Sequence, residues 1–206
     1  MTPKAIPPAE ACFVICVEAN QLAVQAQLLC ESIRRFAGRY AASRIVAVSP
    51  RPGLAIEEDT ARRLRALEVE PVFLPLNLTG SPYGPINRIV AGRWAEETLA
   101  APFLIVLDTD TLFVAEPDFT AEDVGVRPVD VKGSASAGPA DPLDLYWGRM
   151  AARAGLSLDN LPWIETSVSR QRVRTSCNGG CSVVRRELDV LLRTAEVFFD
   201  SFAAHD

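Results

Sequence analysis

Lysine and histidine are almost missing from this chain of 206 residues. Lys4 and Lys132 are the only lysines, and His205, one residue from the end, is the only histidine. Schiff-base chemistry is thereby set aside, and no GxxxxGK[ST] phosphate loop occurs. A Ser-His-Asp or Cys-His arrangement would have to rest on a terminal residue, which argues against that chemistry. Basic runs longer than a pair are also absent, and the net charge is −5, so the electrostatic footprint of a nucleic-acid reader is missing. Apolar runs stay far below the roughly eighteen residues of a spanning helix, and nothing resembles a signal peptide. The expectation is a cytoplasmic protein with no transmembrane segment. Disulfides are not expected either: five cysteines are an odd number, and several lie within apolar runs, which suits reduced thiols. The spacings of Cys12 with Cys16 and of Cys177 with Cys181 match no zinc-knuckle turn.

What the chain does have is apolar content, 49% against 23% charged, enough for a proper core in one domain. The pattern alternates. "CFVICVE" (12–18) reads as a first strand. "QLAVQAQLLCESIRRFAG" follows with Leu22, Ala26, Leu29, Ile33 and Phe36 at helical spacing and Gly38 as a stop. "RIVAVS" (44–49) reads as strand two, residues 57–68 as an exposed helix, and "VEPVFLP" (69–75) as strand three. A loop rich in Gly and Pro leads into a helix from about Ile86 to Leu99. Beyond residue 115 the pattern loosens, with strand candidates at 124–131, "WIETSV" and "CSVVRR". Helices are expected over "PLDLYWGRMAARAG" and from Glu187 to Ala203. Alternation of this kind predicts an α/β sandwich with a mainly parallel sheet, whose ligands gather beyond the carboxyl ends of the strands.

At such an end stands "FLIVLDTDTLFV" (103–114), where Asp108 and Asp110 interrupt an apolar stretch. If the chain is extended there, both carboxylates face one side and Thr109 the other. Two anions so close call for a positive charge between them, a divalent cation first of all. The plainer alternative is a pair of aspartates in the turn after the strand.

The strand followed by "DTD" and "TLFV", the preceding "INRIVAGRWAEETLAAP" and the later "CNGGCSVVRRE" together resemble a GT-A-type glycosyltransferase, the nucleotide-sugar-dependent class. The resemblance covers most of the chain. It implies a Rossmann-like α/β/α sandwich and a nucleotide-sugar donor with Mn²⁺ or Mg²⁺ as cofactor. The acceptor would be a sugar, a lipid or a protein. Carried over, Asp110 would be the direct metal ligand and Asp108 a second ligand or ribose contact. Nucleotide- or sugar-binding residues would be Glu18, Asn87, Arg88, Thr109, Asn178, Gly179 and Gly180. Residues 1–206 would form a single domain, with about 1–115 the nucleotide-binding half and about 116–206 the donor-sugar and acceptor half. The resemblance also implies a longer acceptor region, so the chain is expected to be short at its C-terminus, with a third metal ligand left open.

Several of these residues have plainer readings. Glu18 would suit the start of a helix, where an acid meets the positive end of the dipole. Asn178 with its glycines would make a turn. Arg170, Arg172 and Arg174 in "RQRVR" would share a solvated strand face, with a phosphate clamp as the second reading. "LDTDTLFV" also fits the haloacid-dehalogenase signature, in which Asp108 would attack phosphate. That chemistry needs a downstream lysine, and Lys132 is the sole candidate. A non-catalytic domain that binds nucleotide sugars is the remaining alternative.

Overall fold

A computed structural model describes residues 4–204 of the chain. His205 lies outside the described residues. Four strands, β1 (Ala11–Cys16), β2 (Arg44–Ser49), β3 (Val69–Phe73) and β4 (Phe103–Leu107), pair in parallel, β3 with β2, β2 with β1 and β1 with β4. Their apolar runs follow from burial on both faces, as parallel sheets require. Alternate residues of one strand enter two separate cores. Phe13, Ile15, Ile45, Ala47, Ile105 and Leu107 pack on one side of the sheet. Cys12, Val14, Val46, Val48, Leu104 and Val106 pack on the other.

The helices divide between the same two faces. α1 (Gln21–Phe36) buries Ala26, Leu29, Cys30 and Ile33 in the first core, and α2 (Glu58–Ala66) adds Ala61 and Leu64. α3 (Pro85–Thr98) buries Ala91 and Ala95 in the second. The chain therefore steps outward from β1 through α1 to β2 and through α2 to β3. It then returns through α3 to β4 on the far side of β1. The strand order β3-β2-β1-β4 reverses direction between β1 and β4. In open α/β sheets such a reversal leaves a crevice at the carboxyl ends, where ligands bind.

Two strands complete the sheet, β8 (Cys177–Arg185) antiparallel to β4 and then β5 (Val124–Pro128). By Cα packing the described residues fall into two compact units. One runs up to Gly125 and includes Gly180–Leu192; the other is Val126–Gly179 with the residues from Arg193 onward. The second unit contains α4 (Pro142–Arg153) and a hairpin of β6 (Trp163–Glu165) with β7 (Arg172–Arg174), paired antiparallel. The last helix, α5 (Val190–Ala203), spans the boundary.

Several expectations need correction. β4 stops at Leu107, and no strand forms over 111–114; "DTD" lies in a turn in which Thr111 N–H reaches the Asp108 carbonyl at 3.2 Å. The final helix begins at Val190 rather than Glu187. A short 3-10 turn, Arg186–Leu188, comes first, and Asp189 at φ 53° interrupts the helical path. Aspartate tolerates that left-handed conformation better than most side chains. "NGG" is no turn: it lies within β8. Gly38 behaves as expected of a stop. Its φ is +55°, and a Cβ there would collide with the Glu116 carboxylate that pairs with Arg39.

Candidate active site

The crevice between β1 and β4 is a real cleft of about 230 Å³. Cys16 at the end of β1 and Glu18 just beyond it border the cleft, with Leu22 and Gln25 from the first turns of α1, Leu107 at the end of β4, and Asp108, Thr109 and Asp110 after it. Gly84, Pro85, Asn87 and Arg88 close it from the start of α3. Local sequence explains each approach. Asn20, at φ 67°, turns the chain from Glu18 into α1. Ahead of α3, side chains hold the loop in successive short turns. Asn77 accepts from the Thr79 N–H at 3.3 Å, Thr79 from the Ser81 N–H at 3.2 Å and Ser81 from the Tyr83 N–H at 3.2 Å. Pro85 then starts the helix, where its missing N–H costs nothing. Two helix N-termini thus open toward one cleft, and both carry the positive end of a macrodipole.

Six of the residues expected at the site line it: Glu18, Asn87, Arg88, Asp108, Thr109 and Asp110. Their environments differ from the expectations. Glu18 is neither free nor a helix-start acid. It is 5% exposed, and Arg51 grips it through Nε and Nη2, each 2.5 Å from a separate carboxylate oxygen. Asn87 is buried, accepting from Asn77 Nδ2 at 2.7 Å through its side chain and from the Cys16 thiol at 3.2 Å through its carbonyl. Arg88 is no idle surface charge: its Nη1 lies 2.6 and 2.8 Å from the two oxygens of Asp108. Thr109 does not turn away, because the chain is not extended there. It is buried against the cleft with its hydroxyl 3.3 Å from Gln25 Oε1. Asp110 is exposed, and no ion pair or hydrogen bond engages it among the described residues.

Gly180 sits where its carbonyl accepts the Asp108 N–H at 3.0 Å, a backbone anchor for the aspartate turn. Asn178 and Gly179 precede it in β8 and belong to the second unit. The three arginines of "RQRVR" do not share a solvated face. Arg170, at φ 56°, pairs with Glu165, and Arg174 is 5% exposed with Nε 2.7 Å from Asp144. Lys132 Nζ lies 2.8 Å from Asp141. That lysine, together with the N–H groups of Ala137 and Leu143, holds the Asp141 carboxyl down at about 2.

Cys16, Gln25 and Arg51 escape sequence reasoning. Cys16 reads as core, and burial pushes its thiol up to about 12, which favours the protonated thiol where it lines the cleft. Gln25 carries one available signal, its place one turn into the helix after the first strand. Arg51 carries none, being 33 residues from Glu18. Among the described residues no three His, Cys, Asp or Glu side chains cluster as a metal site. The carboxylates that line the cleft are Asp108, Asp110 and Glu18, the last of them held by Arg51; hard cations take oxygen ligands of this kind together with phosphate oxygens and water.

A mixed α/β sheet of this order with such a cleft defines the GT-A class of glycosyltransferase folds. Over residues 13–204 the chain belongs to the Rhodobacterales glycosyltransferase domain family. No curated protein sequence matches it. Two solved structures are similar in fold. One is the mannosyltransferase PcManGT from Pyrobaculum calidifontis in complex with GDP-Man and Mn²⁺. It is 14% identical with a TM-score of 0.50, covering 93% of this chain and 49% of that one. The other is core-mannan synthase A (CmsA/Ktr4) from Aspergillus fumigatus in its Mn/GDP form. It is 9% identical with a TM-score of 0.55, covering 93% and 66%. The chain thus spans about half of the first and two thirds of the second. No helix among the described residues is long and apolar enough to cross a membrane.

Proposed function

We propose that the chain is a glycosyltransferase that takes a sugar from a nucleoside-diphosphate donor, with a divalent cation, Mn²⁺ or Mg²⁺, held by Asp110 and Asp108. The observation that carries this reading is the aspartate turn at the β1/β4 crevice, facing two helix N-termini. Helix N-termini and Arg88 favour an anion, while Asp110 offers a free carboxylate beside it. A bound cation there would neutralise charge on the diphosphate as the sugar–phosphate bond breaks. The protein's own part is to orient: Asn87 and Thr109 are held by Asn77 and Gln25, so their polar groups meet the nucleotide in fixed positions. Glu18 lines the nucleotide end, its charge balanced by Arg51. Residues up to about 115 form the nucleotide-binding half, and Asn178, Gly179 and Gly180 meet the donor sugar in the other. The acceptor is a sugar, lipid or protein hydroxyl. The two solved structures support the reading, since both hold a guanine nucleotide with manganese.

Thermal unfolding with GDP or UDP tests it. Ligand at about a hundred times Kd stabilises by roughly 2.7 kcal/mol, and the rise in Tm should appear with Mn²⁺ and vanish with EDTA. Asp110→Asn should abolish the metal-dependent part and Asp108→Asn weaken it. Equal shifts with Mn²⁺ and with EDTA would sink the proposal.

A further inference from the structure

Two ion pairs border the cleft, and they are held with different firmness. Glu18 and Arg51 keep 6% and 19% of their side chains exposed, joined by two separate hydrogen bonds, and Arg51 Nη1 also reaches the Ser81 carbonyl at 3.4 Å. Arg88 and Asp108 keep 30% and 42% exposed, and a single nitrogen makes both contacts. A buried, forked pair resists separation because each partner would be left uncompensated. A half-exposed pair is weak, since water replaces either partner readily. Of the two, the Arg88–Asp108 pair is the one that can exchange. The backbone of Asp108 is meanwhile fixed on both sides, its N–H on Gly180 and its carbonyl under Thr111. Arg88 can therefore leave while the carboxylate stays.

We propose that Arg88 is a mobile counter-charge: it pairs with Asp108 at the cleft and moves to the donor diphosphate as Asp108 turns to the cation. This rests on the nucleotide-sugar reading above. With Arg88 in place, a lone cation meets only Asp110 as an unbalanced carboxylate and binds weakly. A diphosphate offers two acceptor oxygens to the planar fork of the guanidinium, a better partner than the one-nitrogen contact it leaves. Its arrival would release Asp108, so that Asp108 and Asp110 could hold a cation together beside the phosphates. Cation and nucleotide therefore favour each other through this side chain, and the coupling is reciprocal. Arg88 is a positioning residue that keeps either ligand from occupying the cleft tightly alone.

Mn²⁺ binding to the whole chain, followed by the loss of the free-ion electron paramagnetic resonance signal with and without GDP, tests this apart from turnover. In the unmodified protein GDP should tighten Mn²⁺ by about tenfold or more. Arg88→Met should bind Mn²⁺ alone more tightly and Mn²⁺-GDP less tightly, shrinking that coupling by about tenfold. Arg88→Lys, which keeps the charge but loses the planar fork, should fall between, and it decides the matter if the methionine variant does not fold. Coupling unchanged in the variants, or Mn²⁺ alone held no better than by the unmodified protein, overturns the counter-charge role while leaving the nucleotide reading intact. Failure of the unmodified protein to bind Mn²⁺ with GDP overturns both.

Discussion

The two units hold themselves together by different means. In the first, Phe13, Val14, Ile15, Ile45, Val46 and Leu104 are all fully buried in central strands, and the helices add a second layer on each face. In the second, the β6–β7 hairpin exposes Trp163, Glu165 and Arg172, and its order depends on charges. Arg174 is the hub. It bonds Asp144 at 2.7 Å and the Leu158 carbonyl at 3.1 Å, lies 5.0 Å over the Trp163 ring, and shares Asp144 with Ser136. Apolar burial is shared through a continuous core on each face of the sheet, so losing one side chain weakens the whole unit. A charged hub concentrates its effect, so losing it undoes one region. The first arrangement keeps the floor of the cleft rigid; the second leaves its segment dependent on one charged side chain.

Variants can break or sharpen that contrast. The largest effect should come from Phe13→Ala, which removes a buried ring packed edge-on against Phe113 and Phe119 at 5.8 and 6.2 Å. Such truncations cost about 3–5 kcal/mol, and chemical denaturation should show a loss of that size across the whole first unit. A loss under about 1 kcal/mol would mean that its core is not the continuous one described. Arg174→Met should act locally. Hydrogen exchange should rise over 134–175, with β1 to β4 protected as before, because the uncompensated Asp144 and Asp159 lie in the second unit alone. Global loss of protection would erase the distinction between the units.

The smallest effect belongs to Asp141→Asn. The Asp141 carboxyl is depressed to about 2, below its unfolded value near 3.9. Its pairing with Lys132 therefore stabilises above about pH 4 and is lost as pH falls toward about 2. The Tm difference between Asp141→Asn and the unmodified protein should be steady at neutral pH and close within that window. A difference that persists at pH 2 would assign the effect to the Ala137 and Leu143 hydrogen bonds instead of the charge.

This contrast also explains what could be read from residues alone. β1, β2 and β4 were legible because burial on both faces leaves unbroken apolar runs, and the α/β class follows from the helices between them. Asp108 and Asp110 stood out for the same reason, as charges in a run that tolerates none. Their geometry did not, since nothing local distinguishes a strand continuing through "DTDTLFV" from one that turns at Asp108. Tertiary contacts settle it: Phe113 is buried with its N–H on Ser32 of α1 at 3.0 Å, while Leu112 and Val114 on either side are exposed. Glu18 illustrates the larger blind spot. Its burial is tolerable only beside Arg51, and a partner brought by the next strand leaves no mark in spacing. The roles of Arg170, Arg172 and Arg174 were obscured likewise, because hairpin pairing and the Asp144 contact separate residues that a simple alternation would group.

The antiparallel pairing of β8 with β4 has a consequence in time. Phe103 is matched with Arg185, and Leu107 with Cys181. During synthesis at about 5–20 residues per second, the stretch between Leu107 and Arg185 takes roughly 4–15 s to appear. For that interval one edge of Phe103–Leu107, the apolar strand that leads into the aspartate turn, has no neighbour. An unpaired apolar edge is a template for stray strands of other chains. The nascent protein therefore passes through a window of seconds in which the strand leading into the aspartate turn has an open apolar edge, and crowding of ribosomes on one message would be felt there.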